Sequence, residues 1–200
     1  MDLGIKNKKA IVCASSKGLG RACARSLMME GVSVVINARG EESLKETFEE
    51  LSLIDENKVS MTVADLNTEE GRKKLIESCP DADILINNNS GPPPINFLES
   101  NKEEWLKALD SNMLSAVFMI KDLLPGMIDR KFGRIVNITS AMVKSPHPLM
   151  SLSTSARTGY RYNMFQGPQQ QLISMVRQRN ASKMSEHDVR APTFLQLFGA

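Results

Sequence analysis

Apolar residues in the first 140 positions fall in short, near-continuous runs. Longer stretches with helical spacing separate them. Lys9–Ala14 (KAIVCA) reads as a buried strand, followed by a turn at Ser15–Gly20. Residues 21–30 carry Ala22, Cys23 and Leu27 at helical intervals, and Gly31 ends that helix. Ser33–Asn37 is a second, β-branched strand, and Glu41–Leu53 a charged amphipathic helix. Val59–Ala64 is a third strand, and Thr68 caps a helix through about Ser78. Asp83–Asn87 is a fourth strand. Lys102–Ile128 is one helix or two, with Pro125 near its end, and Gly133–Thr139 is a fifth strand.

Strands with little alternation, each followed by a helix, predict a parallel sheet covered on both faces. Right-handed crossovers make a three-layer, Rossmann-like, doubly wound α/β fold the natural topology. After Gly159 the pattern stops. YRYNMFQGPQQQ has no clear period, and Gly167-Pro168 should break any helix entering it. Gln171–Gln178 gives only a short amphipathic turn or two. Phe194–Phe198 is apolar but abuts the end, so no sixth strand is expected. The expected division is a nucleotide-binding core over 1–159 and a poorly ordered tail over 160–200, with the sheet truncated after its fifth strand.

Composition leaves this picture intact. The chain has 200 residues, enough for one domain, and its net charge of +2 is too small to suggest nucleic acid or a membrane surface. No run of apolar residues is long enough to span a bilayer, and the N-terminus has no apolar signal core, so a cytoplasmic protein is expected. Cys13, Cys23 and Cys79 read as free thiols, and no Cys/His spacing suggests a metal. His147 and His187 read as surface residues.

The chemistry starts at Ser15-Ser16-Lys17-Gly18-Leu19-Gly20. A strand, a glycine turn and a helix N-terminus offer free N–H groups and a positive dipole end to a pyrophosphate. A plain tight turn is the alternative. The second strand ends Asn37-Ala38-Arg39, without the acid that would bind the ribose 2′-OH of NAD(H). Lys17 and Arg39 together suit a 2′-phosphate, and hence NADP(H). The other reading is two solvated surface charges.

Over Leu3–Gly159 the sequence resembles the short-chain dehydrogenase/reductase family, in particular its 3-oxoacyl-carrier-protein-reductase-like members. Gly18 and Gly20 match the family's glycine motif, with Cys13 and Ala14 replacing its first two residues. The resemblance places Asp65 and Leu66, after the third strand, near the adenine. It sets Asn87 and Asn88 on the first half of the Asn-Asn-Ala-Gly motif, where Asn89 and Ser90 depart from it. Asn112 matches the helical Asn of the catalytic tetrad, and Ser140 the catalytic serine. The implied reaction is hydride transfer between a nicotinamide and a small-molecule carbonyl or alcohol. Ser140 would bind the substrate oxygen, and Asn112 would keep a water in the proton path.

The family's tyrosine and lysine would stand at Ser153 and Arg157. A serine hydroxyl is a far weaker acid than a phenol of pKa about 10, and arginine is no acid at neutral pH. Arg157 could still hold the nicotinamide ribose. Tyr160 and Tyr162 lie too far along the helix to replace the lost acid. Pro92-Pro93-Pro94 would stiffen the loop beside the cofactor. Two readings stay open: a reductase with altered catalytic groups, and an inactive nucleotide- or partner-binding protein. A homo-oligomer through the fourth and fifth helices is compatible with both. The break after Gly159 also suggests a tail that did not evolve with this core, for which a shifted reading frame is the simplest cause.

Overall fold

The structure, a computed structural model, describes residues 2–166 and 193–199. Six parallel strands form one sheet in the order β3-β2-β1-β4-β5-β6. They are β1 (Lys9–Val12), β2 (Ser33–Ala38), β3 (Val59–Val63), β4 (Ile84–Asn87), β5 (Arg134–Ser140) and β6 (Thr193–Gly199). The helices are α1 (Gly18–Met29), α2 (Glu41–Asp55), α3 (Glu69–Ser78), α4 (Lys102–Leu109), α5 (Ser115–Asp129) and α6 (Ser151–Gln166). The doubly wound arrangement is as the sequence predicts.

The two-residue period of the central strands divides the core. Ile11 and Leu85, paired in register, face one side with Ile135, Leu75, Met119 and Leu123. Their neighbours Ala10, Val12, Ile84 and Ile86 face the other side, against Ala24, Met28, Leu44 and Leu51. Helices α1 and α2 therefore cover one face, and α3, α5 and α6 the other. Both faces of β1 and β4 are dry, which is why these strands show no polar alternation.

Two expectations about the end of the chain are corrected. A sixth strand exists: Thr193–Gly199 pairs with the whole of β5, from Arg134↔Thr193 to Ser140↔Gly199. Without it β5 would present an open row of N–H and C=O groups. The apolar content of Phe194–Phe198 was a strand signal, discounted for its nearness to the terminus. Second, α6 crosses Gly159 and runs to Gln166, so the helix does not stop at the expected boundary. Gln171–Gln178, His187 and the rest of the expected tail up to residue 192 lie outside the described residues.

Tyr160 shows why α6 belongs to the core. It is 3% exposed, packs among the apolar residues of the α3/α5 face, and donates its hydroxyl hydrogen to Asn137 Oδ1 on β5. The same oxygen accepts Asn87 Nδ2 from β4 at 2.9 Å. One buried amide thus joins two strands and a helix. Tyr160→Phe removes one donor from that oxygen and should cost about 1–3 kcal/mol in urea unfolding. An unchanged midpoint would show the hydroxyl to be idle.

Burial also sets an alkaline limit. Cys13 is 1% exposed, and loss of solvation raises its pKa to about 12. An unfolded thiol ionises near about 8.5. Below that pH both states hold the proton and the contribution is constant. As pH rises further the unfolded state sheds it while the native state keeps it, so stability falls until the native pKa is passed. Urea midpoints should drop between pH 8 and pH 11, and Cys13→Ala should flatten part of that slope.

Candidate functional site

Because all strands run parallel, their carboxyl ends share one edge, and the predicted site residues gather there. The connection leaves β1 toward β2 on one side, while β4 arrives on the other. Such a reversal opens a crevice at the sheet's carboxyl edge.

The turn after β1 is tightly built. Ala14 has φ 45° and Gly18 φ 57°, the left-handed region in which a side chain is strained. A Cβ on Gly20 would stand 2.4 Å from Ala14 O, so only glycine lets α1 start this close to the strand. Ser15 is fully buried and spent on the turn: its Oγ donates to Val12 O at 2.8 Å and accepts Asn37 N at 2.9 Å. It shapes the loop from beneath. Ser16 O accepts Thr47 Oγ1 at 2.8 Å. Lys17, Gly18 and Leu19 are exposed, Lys17 gives α1 no side-chain cap, and nothing lies within 4 Å of a Cβ placed on Gly18. Free helix N–H groups beneath open space fit a phosphate group.

Arg39 is exposed after β2 and reaches across the edge to Ser90 Oγ at 3.3 Å. Asp65 is half-buried, and its Oδ1 accepts Asn67 N at 3.0 Å. Leu66 beside it is buried. Asn87 is held by Asn137 as described, and Asn88 Nδ2 donates to Ala14 O at 3.2 Å, bridging β4 to the glycine turn. Asn89 links the third and fourth connections: its Nδ2 donates to Asn67 Oδ1 at 3.2 Å and to Ser111 O at 2.9 Å.

Asn112 sits in a wide π turn, Asp110–Leu114, between α4 and α5. Such turns recur at functional sites because they re-aim a side chain out of the helical register. Asn112 Nδ2 donates to Ser111 Oγ at 2.6 Å, while its Oδ1 is buried without a partner. Ser140 ends β5 half-buried, accepting Met142 N at 3.2 Å. On α6, Ser153 and Arg157 are one turn apart, and the guanidinium donates to Ser153 Oγ. They are 1% and 9% exposed, and burial holds the Arg157 pKa below its ordinary value.

A cavity of about 20 Å³ lies between these elements. Asn87, Asn88, Asn112, Met119, Arg157 and Tyr160 line much of it. It has room for one water. Burial raises the Tyr160 pKa well above its usual range, so its hydroxyl is a hydrogen-bonding strut and a poor acid. Sequence reasoning weighed Tyr160 only as an acid and did not single out Asn137. The available signal was a lone amide in an apolar strand, RIVNITS. Among the described residues no group of acids, histidines and cysteines could hold a metal, and no helix is long and apolar enough to cross a membrane.

Known proteins share this fold. The chain is 35% identical over 159 residues to the uncharacterized oxidoreductase YvaG of Bacillus subtilis, covering 79% of this chain and 60% of that protein. It is 31% identical over 160 residues to the 3-oxoacyl-[acyl-carrier-protein] reductase FabG of Haemophilus influenzae, covering 78% of this chain and 64% of that one. It therefore spans about three-fifths of the length of these relatives. L-Sorbose reductase from Gluconobacter frateurii, solved with NADPH and L-sorbose, superposes with TM-score 0.80 at 27% identity, over 88% of this chain and 68% of that one. The family model described as short chain dehydrogenase matches residues 8–166, and the chain belongs to that family.

Proposed function

We propose that this chain is an NADP(H)-dependent oxidoreductase of the short-chain type, acting on a small-molecule carbonyl or alcohol. The uncapped α1 N-terminus behind the glycine turn carries this reading. Gly18, Leu19 and Gly20 would take the pyrophosphate on their backbone, with Ser16 at the turn and Lys17 at its rim. Arg39 with Lys17 suits a 2′-phosphate, and Asp65 and Leu66 would flank the adenine. Asn87 and Asn88 would form the floor beneath the nicotinamide end. The bound nicotinamide would supply the hydride that converts a carbonyl into an alcohol.

This chain's residues would handle the oxygen. Ser140 Oγ stands at the strand end where a hydrogen bond can orient it. Ser153 is no substitute for a phenol, because it is a weak acid and the Arg157 guanidinium already binds its oxygen. The oxygen's proton then has to come from water, and a water beside Asn112 would satisfy the unpartnered Oδ1 and stand in that path. Loss of a general acid typically costs about 10²–10⁴ in rate, so slow turnover is expected. The buried Ser153–Arg157 pair also favours a second reading, a nucleotide-binding protein without turnover. Self-association through α5 and α6 belongs to the same proposal.

Titration of the chain with NADPH and NADH, followed by nicotinamide fluorescence, tests the cofactor. NADPH should bind more tightly. Arg39→Ala should weaken NADPH about tenfold, as loss of a charge-assisted contact does, and leave NADH nearly unchanged. Equal affinities in the parent chain would remove the 2′-phosphate assignment. With carbonyl compounds, steady NADPH oxidation that Ser140→Ala abolishes supports the enzyme. Binding without oxidation supports the second reading.

A further inference from the structure

Arg157 is the unusual charge of this structure. Arg21 pairs with Glu50 at 3.4 Å, and Arg130 with Asp83 at 3.5 Å. Arg157 is 9% exposed, yet the polar partner it shows is a neutral hydroxyl, Ser153 Oγ. Every other polar side chain lining the cavity is an amide, a serine or Tyr160, all neutral. A buried guanidinium stays charged and is costly to leave without an anion. Its planar fork has five donors and matches the two oxygens of a carboxylate.

The guanidinium is also close to an opening. Its Nη1 and Nη2 each lie 3.3 Å from the point where a Cβ on Gly91 would stand, and Gly91 is exposed. An exposed glycine backbone thus lies against this end of the charge. The phosphate-binding groups proposed above, the α1 N-terminus with Lys17, belong to the turn after β1. Arg157 stands on α6, within one turn of Ser153 and beside Asn112.

We propose that Arg157 is a specificity-determining residue that binds a substrate carboxylate, so that the substrate class is an oxo acid or its hydroxy-acid counterpart. This rests on the oxidoreductase reading and adds to it the charge of the substrate. An oxyanion could also come from a cofactor phosphate, and the test separates the two sources.

The probes are oxamate, a non-reducible oxo-acid analogue, and oxamide, its neutral counterpart. Both are titrated onto the NADPH-loaded chain and, by thermal shift, onto the chain alone. Oxamate should bind at least about tenfold more tightly than oxamide, the margin of a charge-assisted pair. Arg157→Gln should erase that preference, and Arg157→Lys should keep part of it. Gly91→Ala leaves the charge in place but crowds it, and should weaken oxamate several-fold, which covers the case of an Arg157 variant that fails to fold. Equal binding of the two probes to the parent chain overturns the proposal. So does a tenfold loss of NADPH in Arg157→Gln with the oxamate preference intact, because the guanidinium then serves a cofactor phosphate. Failure of NADPH to bind a folded chain would overturn the oxidoreductase reading, and the thermal-shift arm would still decide the carboxylate.

Discussion

The pairing of β1 with β4 determines what the rest of the molecule can do. Ala10, Ile11 and Val12 lie in register with Ile84, Leu85 and Ile86. The connections that follow β1 and precede β4 pass over opposite faces of the sheet. No helix can cover the seam where they part, so the carboxyl ends of the two strands stay open between the glycine turn and the Asn87–Ser90 segment. Asn88 spans that seam with a single side-chain hydrogen bond to Ala14 O. The strain at Ala14, the left-handed backbone at Gly18 and the close approach at Gly20 belong to the same constraint: a chain leaving a central buried strand must turn at once to avoid its neighbours.

A second layer of organisation lies beneath the crevice. Asn137 Oδ1 receives hydrogen bonds from Asn87 and Tyr160, so a single acceptor ties two neighbouring strands to the helix that carries Ser153 and Arg157. In a dry core a satisfied polar group of this kind restricts geometry more sharply than apolar contact does, because every misplacement leaves a donor or acceptor unpaired. Asn87 and Tyr160, two of the side chains facing the cavity, are therefore placed by a network that starts in the sheet.

The sequence made some of this legible and hid the rest, for physical reasons. The five strands and the glycine turn were readable because burial on both faces forces continuous apolar runs, and a phosphate turn has few residue solutions. Asn112 and Ser140 were singled out by resemblance. Periodicity alone would not have placed Asn112, since the π turn that aims it interrupts the helical register. Strand β6 was missed because four apolar residues around Gln196, near a terminus, have no flanking pattern to test, although β5 offers them a complete ladder. Spacing shows Ser15 in the turn but not what its hydroxyl does there, since its bond with Asn37 spans 22 residues of sequence. Tyr160 could not be judged from spacing, since its partner Asn137 comes from a strand 23 residues earlier.

Positions four apart on a helix share a face, so Ser153 and Arg157 lie on one side of α6, and Arg157 lines the cavity. The guanidinium sets the electrostatic balance inside it. The chain as a whole carries a net charge of only +2, so its surface is not broadly basic. Lys17 and Arg39 at the rim and Arg157 within nevertheless give one edge of the sheet three cations. The nearby acid, Asp65, has an oxygen committed to Asn67 N. Low-dielectric walls lengthen the reach of the inner charge, while solvent screens the two at the rim. The positive field is thus a property of the crevice and not of the protein. It is strongest at Arg157, the cation whose surroundings hold the least water.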